Sequence, residues 1–153
     1  MIKRINFNDD GVNVLLTQSD QYLMALYPSE SCHLMSASAL NNNHVDLLGY
    51  QHNGQLLGMI AMVNYATPSD VAYVELKRWV VHDSARDKGI GRQLMHAAIN
   101  AVAQTTTKVI RVETGIHQPD AIKVLEQEGF VRREPFGSYT DDPLSMYLQL
   151  NLE

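Results

Sequence analysis

The sequence predicts an α+β domain: a mixed, mainly antiparallel central sheet flanked by helices. Two stretches predict it. Three β-type segments between Val45 and Val81 are joined by tight turns and form an antiparallel meander. The pattern then becomes strand, helix, strand as far as Thr114, a βαβ unit whose two strands run parallel.

Each element has a local reason. Ile2 to Phe7 reads as a short strand. Asp9 or Asp10 is placed to cap a helix with apolar positions at Val12, Leu15, Leu16, Leu23 and Leu26. Pro28 ends it, because proline cannot donate the next backbone hydrogen bond. Ser31 to Leu40 reads as a second short helix and Asn41-Asn42-Asn43 as a loop. Val45–Gln51 and Gln55–Tyr65 flank Asn53-Gly54, a pair that tolerates the positive φ of a tight hairpin turn. Thr67-Pro68-Ser69-Asp70 turns the chain into a long strand, Val71–Val81. After polar His82–Lys88, Ile90, Leu94, Ala97, Ala98 and Ala101 recur at helical spacing. Val109–Thr114 is rich in β-branched residues. Gln118-Pro119 opens another helix, since proline suits the first helical position. Ala121, Ile122, Leu125 and Glu128 carry that helix to Gly129, a residue suited to its end. Phe130–Arg133 and Ser145–Leu150 are the terminal strands.

A chain of 153 residues is one domain, spanning 1–153. Its net charge of −5 argues against non-specific nucleic-acid binding and favours a cationic partner. A single cysteine, Cys32, excludes an intrachain disulfide and reads as a small packed hydrophobe. Met1 to Asn6 has no apolar run of the kind a signal peptide needs. No segment approaches the roughly 20 apolar residues of a membrane span. A soluble, cytoplasmic protein with no membrane partner is expected. The six histidines show no metal-ligand spacing, so no metal is expected.

The most informative segment is Arg86-Asp87-Lys88-Gly89-Ile90-Gly91-Arg92, between a strand end and a helix start. Helix N-termini carry unpaired N–H groups and the positive end of the macrodipole, which suits an anion. Glycines let backbone approach a phosphate closely. Arg86, Lys88 and Arg92 concentrate positive charge in an acidic chain. A phosphate-bearing ligand follows. The dinucleotide fingerprint fails because Leu94 stands at its third small position. No P-loop is present.

Arg86-Asp87-Lys88-Gly89-Ile90-Gly91 resembles the R/Q-x-x-G-x-G/A motif of the GCN5-related N-acetyltransferases (GNAT family). Val74–His82 looks like that family's long central strand, and Pro119 to Phe130, ending Glu128-Gly129-Phe130, looks like its later helix followed by G-F. The resemblance covers nearly the whole chain, in order, and implies the acyl-CoA N-acyltransferase fold with acetyl-CoA as co-substrate. The tail, Pro135 to Tyr139 with Asp141-Asp142-Pro143, suggests a bacterial small-substrate branch. By the same resemblance, backbone N–H groups from Lys88 to Arg92 hold the pyrophosphate. Backbone of Trp79 and Val81 pairs with the pantetheine arm like an added strand. Glu113, Thr114 and Gln118 lie on the arm's other side; the family often has Asn where Gln118 stands. Homodimers are common in the family.

Acetyl transfer to an amine requires the amine to be neutral. A lysine-like amine is neutral in only about one part in a thousand near pH 7. A general base must therefore take a proton. Glu75 is the first candidate, because a carboxylate in mid-strand is unusual and family members often carry the base on this strand. Its structural alternative is a cross-strand ion pair with Lys77, Arg78 or Arg111. Glu113 is the second candidate, or shares recognition of an ammonium with Glu75. The Val80 N–H is the donor that the resemblance implies for the oxyanion. The family commonly has a Tyr acid four residues before the Gly of G-F; here that position is Leu125. Tyr139 is the substitute candidate, with an ordinary half-buried tyrosine as its alternative. The leading expectation is direct transfer to a small cationic primary amine in a ternary complex. A protein or peptide acetyltransferase and a non-catalytic CoA-binding module are the alternatives.

Overall fold

The computed structural model describes residues 1–153. In chain order the elements are β1 (Ile2–Ile5), α1 (Val12–Leu26), β2 (Val45–His52), β3 (Gln55–Tyr65), β4 (Tyr73–Val81), α2 (Ile90–Ala103), β5 (Val109–Gly115), α3 (Pro119–Gln127), β6 (Val131–Arg133) and β7 (Ser145–Asn151). They form a seven-stranded sheet in the order β1-β2-β3-β4-β5-β7-β6. The β4–β5 pair is parallel and every other pair is antiparallel. The expected α+β class and mixed sheet are therefore present. No helix is long and apolar enough to cross a membrane.

Two local expectations are corrected. Neither Asp9 nor Asp10 caps α1; Gly11 does, at φ 93° and with no side-chain cap. The Asp9 carboxylate instead accepts the Asn6 N–H at 2.9 Å. A Cβ on Gly11 would stand 3.0 Å from Leu56 Cβ, so the entry to α1 is set by a tertiary contact as well as by φ. Residues 31–40 are not a helix. Two short 3₁₀ turns, Ser29–Ser31 and Ser38–Leu40, bracket a non-helical stretch. Its carbonyls go to β4 side chains: Met35 O accepts from Arg78 Nε at 2.7 Å, and His33 O from Lys77 Nζ at 3.4 Å. A helix would have used those carbonyls itself.

The sheet is covered on both faces. Val74, Leu76, Ile110, Val112 and Leu148 pack against Leu94, Met95, Ala98 and Val102 of α2 and Leu125 of α3. Leu47, Met59, Ala61 and Val80 pack against Val12, Leu15 and Leu16 of α1 on the other face. A bulge in β4 positions the site. Arg78 has φ 48°, and the β3–β4 register shifts by one residue there. One extra residue reverses the alternation of side chains. Hence Val74 and Leu76 before the bulge share a face with Trp79 and Val81 after it.

Candidate active site

The ladder between β4 and β5 covers only Val74–Leu76 against Ile110–Val112. Beyond it the β5-facing edge of β4 has no partner strand. The resulting fork opens a cleft of about 360 Å³ that reaches both faces of the sheet. On the α2/α3 side it is lined by Arg86, Gly91, Arg92, Gln118 and Val124, and on the α1 side by Cys32, His33, Glu75, Glu113 and Tyr139.

At the α2 end, none of the backbone N–H groups from Lys88 to Arg92 donates to an acceptor in the protein. Gly89 caps the helix at φ 76°, with nothing within 4 Å of where its Cβ would be. Trp79 turns its indole N–H to Gly91 O at 2.8 Å, which fixes the end of β4 to the first turn of α2. Arg86 pairs with Asp83 at 3.0 Å and lies over the Tyr22 ring. Of the predicted residues, Trp79, Val80, Val81, Arg86, Gly91, Arg92, Thr114 and Gln118 line the cleft. Asp87, Lys88 and Gly89 are exposed on the adjoining loop, and the Ile90 side chain is in the core.

Gln118 has a local task that its sequence position did not reveal. Its Oε1 accepts from the Gly115 N–H at 3.2 Å and the Tyr27 hydroxyl at 3.3 Å. That hydroxyl also accepts the His117 N–H at 2.9 Å. A Cβ on Gly115 would lie 1.9 Å from the Tyr27 oxygen, so only glycine admits this approach. Tyr27 thereby joins the end of α1 to the turn before α3.

At the other end, Glu75 is only 3% exposed. Of its three candidate basic partners, Lys77 is the one within ion-pair distance, at 3.6 Å. Arg78 pairs with Asp20, and Arg111 with Asp70 at 2.6 Å. The Tyr139 hydroxyl donates to Glu75 Oε2 at 2.6 Å and accepts from Lys77 Nζ at 2.7 Å. Burial pushes the Glu75 carboxyl above its usual range, while the Lys77 charge and the Tyr139 hydroxyl oppose it. Burial and the facing Glu75 push Tyr139 well above a phenol's ordinary 10.0. Glu113 is raised too, first by burial and also by Glu75, against a 2.7 Å bond from Ser145 Oγ. His33 stands edge-on to the Tyr139 ring at 5.2 Å, with Nε2 3.8 Å from Asp142 Oδ2. Leu125 is 0% exposed and belongs to the core, so α3 presents no hydroxyl to the cleft.

Residues 14–130 match the pattern of the Acetyltransferase (GNAT) family. The chain belongs to the GNAT family. It is an N-acetyltransferase, and acetyl-CoA is its acetyl donor. Its sequence is 33% identical over 140 residues to an IAA acetyltransferase of Azospirillum brasilense, covering 92% of this chain and 90% of that one. The structure of a candidate acyl-CoA N-acyltransferase from Klebsiella pneumoniae subsp. pneumoniae matches this acetyltransferase with a TM-score of 0.79 and 25% identity, over 100% and 97% of the two chains. The fold also matches a candidate acetyltransferase of Salmonella typhimurium, solved with acetyl-CoA, at TM-score 0.69 and 16% identity, over 100% and 94% of the chains.

Lys77, His33, Ser145 and Tyr27 join the site through the fold. Lys77 was legible as a partner of Glu75, two residues away on one strand face. Ser145 and His33 carried no spacing signal, because their approach depends on β7 and on an irregular loop.

Proposed function

We propose that this acetyltransferase transfers acetyl directly from acetyl-CoA to a primary amine of a small cationic molecule, within a ternary complex, with Glu75 as the general base. The observation that carries the reading is the Glu75 carboxylate: buried at the fork, anchored through Oε2, with Oε1 accepting from no protein donor.

The thioester supplies an acetyl group open to attack by a neutral amine. Unpaired N–H groups from Lys88 to Arg92, with Arg86 and Arg92 beside them, fit a pyrophosphate. The unpartnered edge of β4 at Trp79 and Val81 fits the pantetheine amides, with Thr114 and Gln118 on the far wall. The fork leads from there to Glu75. Oε1 takes a proton from the bound ammonium; the amine nitrogen then bonds to the acetyl carbon as the carbon–sulfur bond breaks, CoA leaves as its thiolate, and the second nitrogen proton passes through water to that thiolate. The Val80 N–H, the oxyanion donor that the resemblance implies, is turned toward Met59 of β3 by the ladder just past the bulge, so a donor for the developing oxyanion has to come from the fork-facing edge instead.

Tyr139 is better suited to hold Glu75 than to protonate the thiolate. Its hydroxyl hydrogen is committed to Glu75, and its raised pKa makes it a weak acid. Direct transfer is favoured over an acyl-cysteine route. Burial pushes the Cys32 thiol up, and its Sγ faces the Leu23 and Tyr27 carbonyls, both at 3.9 Å. The test is acetylation of an amine panel with acetyl-CoA. Intersecting double-reciprocal lines, and turnover retained in Cys32→Ala, are expected. Parallel lines, with turnover lost in Cys32→Ala, would support the acyl-cysteine route instead.

A further inference from the structure

We propose that Glu113 is a specificity residue of the acceptor subsite, selecting a primary amine with no carboxylate on the adjacent carbon over the corresponding α-amino acid. The inference rests on the reading of Glu75 as the base and names the acceptor class of that same site.

The transfer chemistry leaves Glu113 unused. It is on the same face of the sheet as Glu75, because Glu75 stands opposite Arg111 in the parallel register and Glu113 is two residues further on. Strand geometry puts the two Cα atoms roughly 8 Å apart, a span a small substrate can bridge. Glu113 Oε2 has one donor, the Ser145 hydroxyl, whereas a carboxylate has room for about four. No basic side chain stands within ion-pair distance of it.

The charges at this end of the cleft otherwise cancel. Lys77 is held by Glu75, Tyr139 and His33 O. Arg78 is held by Asp20 and Met35 O. His33 Nε2 faces Asp142 and is closed to solvent. Arg86 and Arg92 lie at the opposite, α2 end. Glu113 is therefore a carboxylate without a counter-charge. An ammonium supplies one. An α-carboxylate instead brings a second anion to Glu113 and finds no free cation to receive it, and such like-charge contacts discriminate strongly.

The test compares matched acceptors: tyramine, tyrosine and tyrosine methyl ester, and agmatine against arginine. Wild-type kcat/KM should favour each amine over its amino acid on the order of a hundredfold, and the methyl ester should behave like tyramine. Glu113→Gln should lower that ratio below about tenfold by slowing the amines and admitting the amino acids. Calorimetric binding of acetyl-CoA checks that the variant folds, and Glu113→Ala replaces it if it does not. Amines and amino acids turned over equally by wild type would overturn the proposal. So would an unchanged ratio in a folded variant. Turnover of none of these acceptors would overturn the small-amine reading beneath it, and the inference with it.

Discussion

Lys77→Met separates the charge at Glu75 from its geometry. In the structure the ammonium lies 3.6 Å from Glu75 Oε2, with the two side chains 17% and 4% exposed. At that distance an effective dielectric of about 20 gives roughly 4.6 kcal/mol, a ceiling of about three pKa units. Relaxation and water reduce this, and close ion pairs shift carboxyl groups by about 1–3 units. Lys77 lowers the Glu75 pKa, so its removal raises it. The acid limb of the kcat/KM profile should therefore move up by about 1–3 pH units, with activity lost at neutral pH and recovered in alkali. The assay is loss of thioester absorbance between about pH 6 and 10 with one fixed amine. The amine's own titration is common to both enzymes and cancels in the comparison. Tyr139→Phe should move the limb the same way by less, because the ammonium remains. An active Lys77→Met enzyme with an unmoved limb would refute the reasoning.

The other predictions concern stability and the glycines. Glu113 titrates above its unfolded value, so its favourable contribution is full below the unfolded pKa, near 4.5, and is lost as pH rises through the folded pKa. Glu113→Gln should therefore raise the apo Tm at pH 8, by roughly 2–4 °C per kcal/mol relieved, with the gain vanishing near pH 4.5; a lower Tm at pH 8 would contradict this. Gly115→Ala forces a Cβ into the Tyr27 hydroxyl and should cost about 1–3 kcal/mol in denaturant melts, and less in a Tyr27→Ala background. Gly89→Ala meets open space but keeps φ at 76°, so it should cost about 1 kcal/mol and raise the acetyl-CoA KM. Gly91→Ala should retain activity and gain up to about 1 kcal/mol, because its Cβ would make ordinary contacts with Val81 and Trp79 inside a helix.

What could be read from sequence follows the range of the interactions. The Asn53-Gly54 hairpin was legible because both residues adopt positive φ, at 52° and 77°, a local requirement. The β4–α2–β5 unit was legible from periodicity, and α3 from Pro119 and Gly129. The α1 cap was not, because Leu56, distant in sequence, dictates the backbone at Gly11. Ser31 to Leu40 reads as a short helix, yet Lys77 and Arg78 claim carbonyls within it. Nothing local announces that β7 inserts between β5 and β6. Within the site, Glu75 stood out as a carboxylate in mid-strand. Its hydroxyl partner, Tyr139, lies 64 residues away, and only the folded chain joins them. The bulge at Arg78 was also invisible, since neither Gly nor Asn marks it.

The central claim is that the buried Glu75 carboxylate removes the acceptor's proton. Its most direct test is Glu75→Gln, an isosteric change that removes the charge and keeps the shape. With an amine accepted by wild type, kcat should fall by about 10²–10⁴-fold near neutral pH while the acetyl-CoA KM stays the same. The acid limb assigned to Glu75 should disappear from the profile. A Glu75→Gln enzyme within a few-fold of wild type, with that limb in place, would contradict the account.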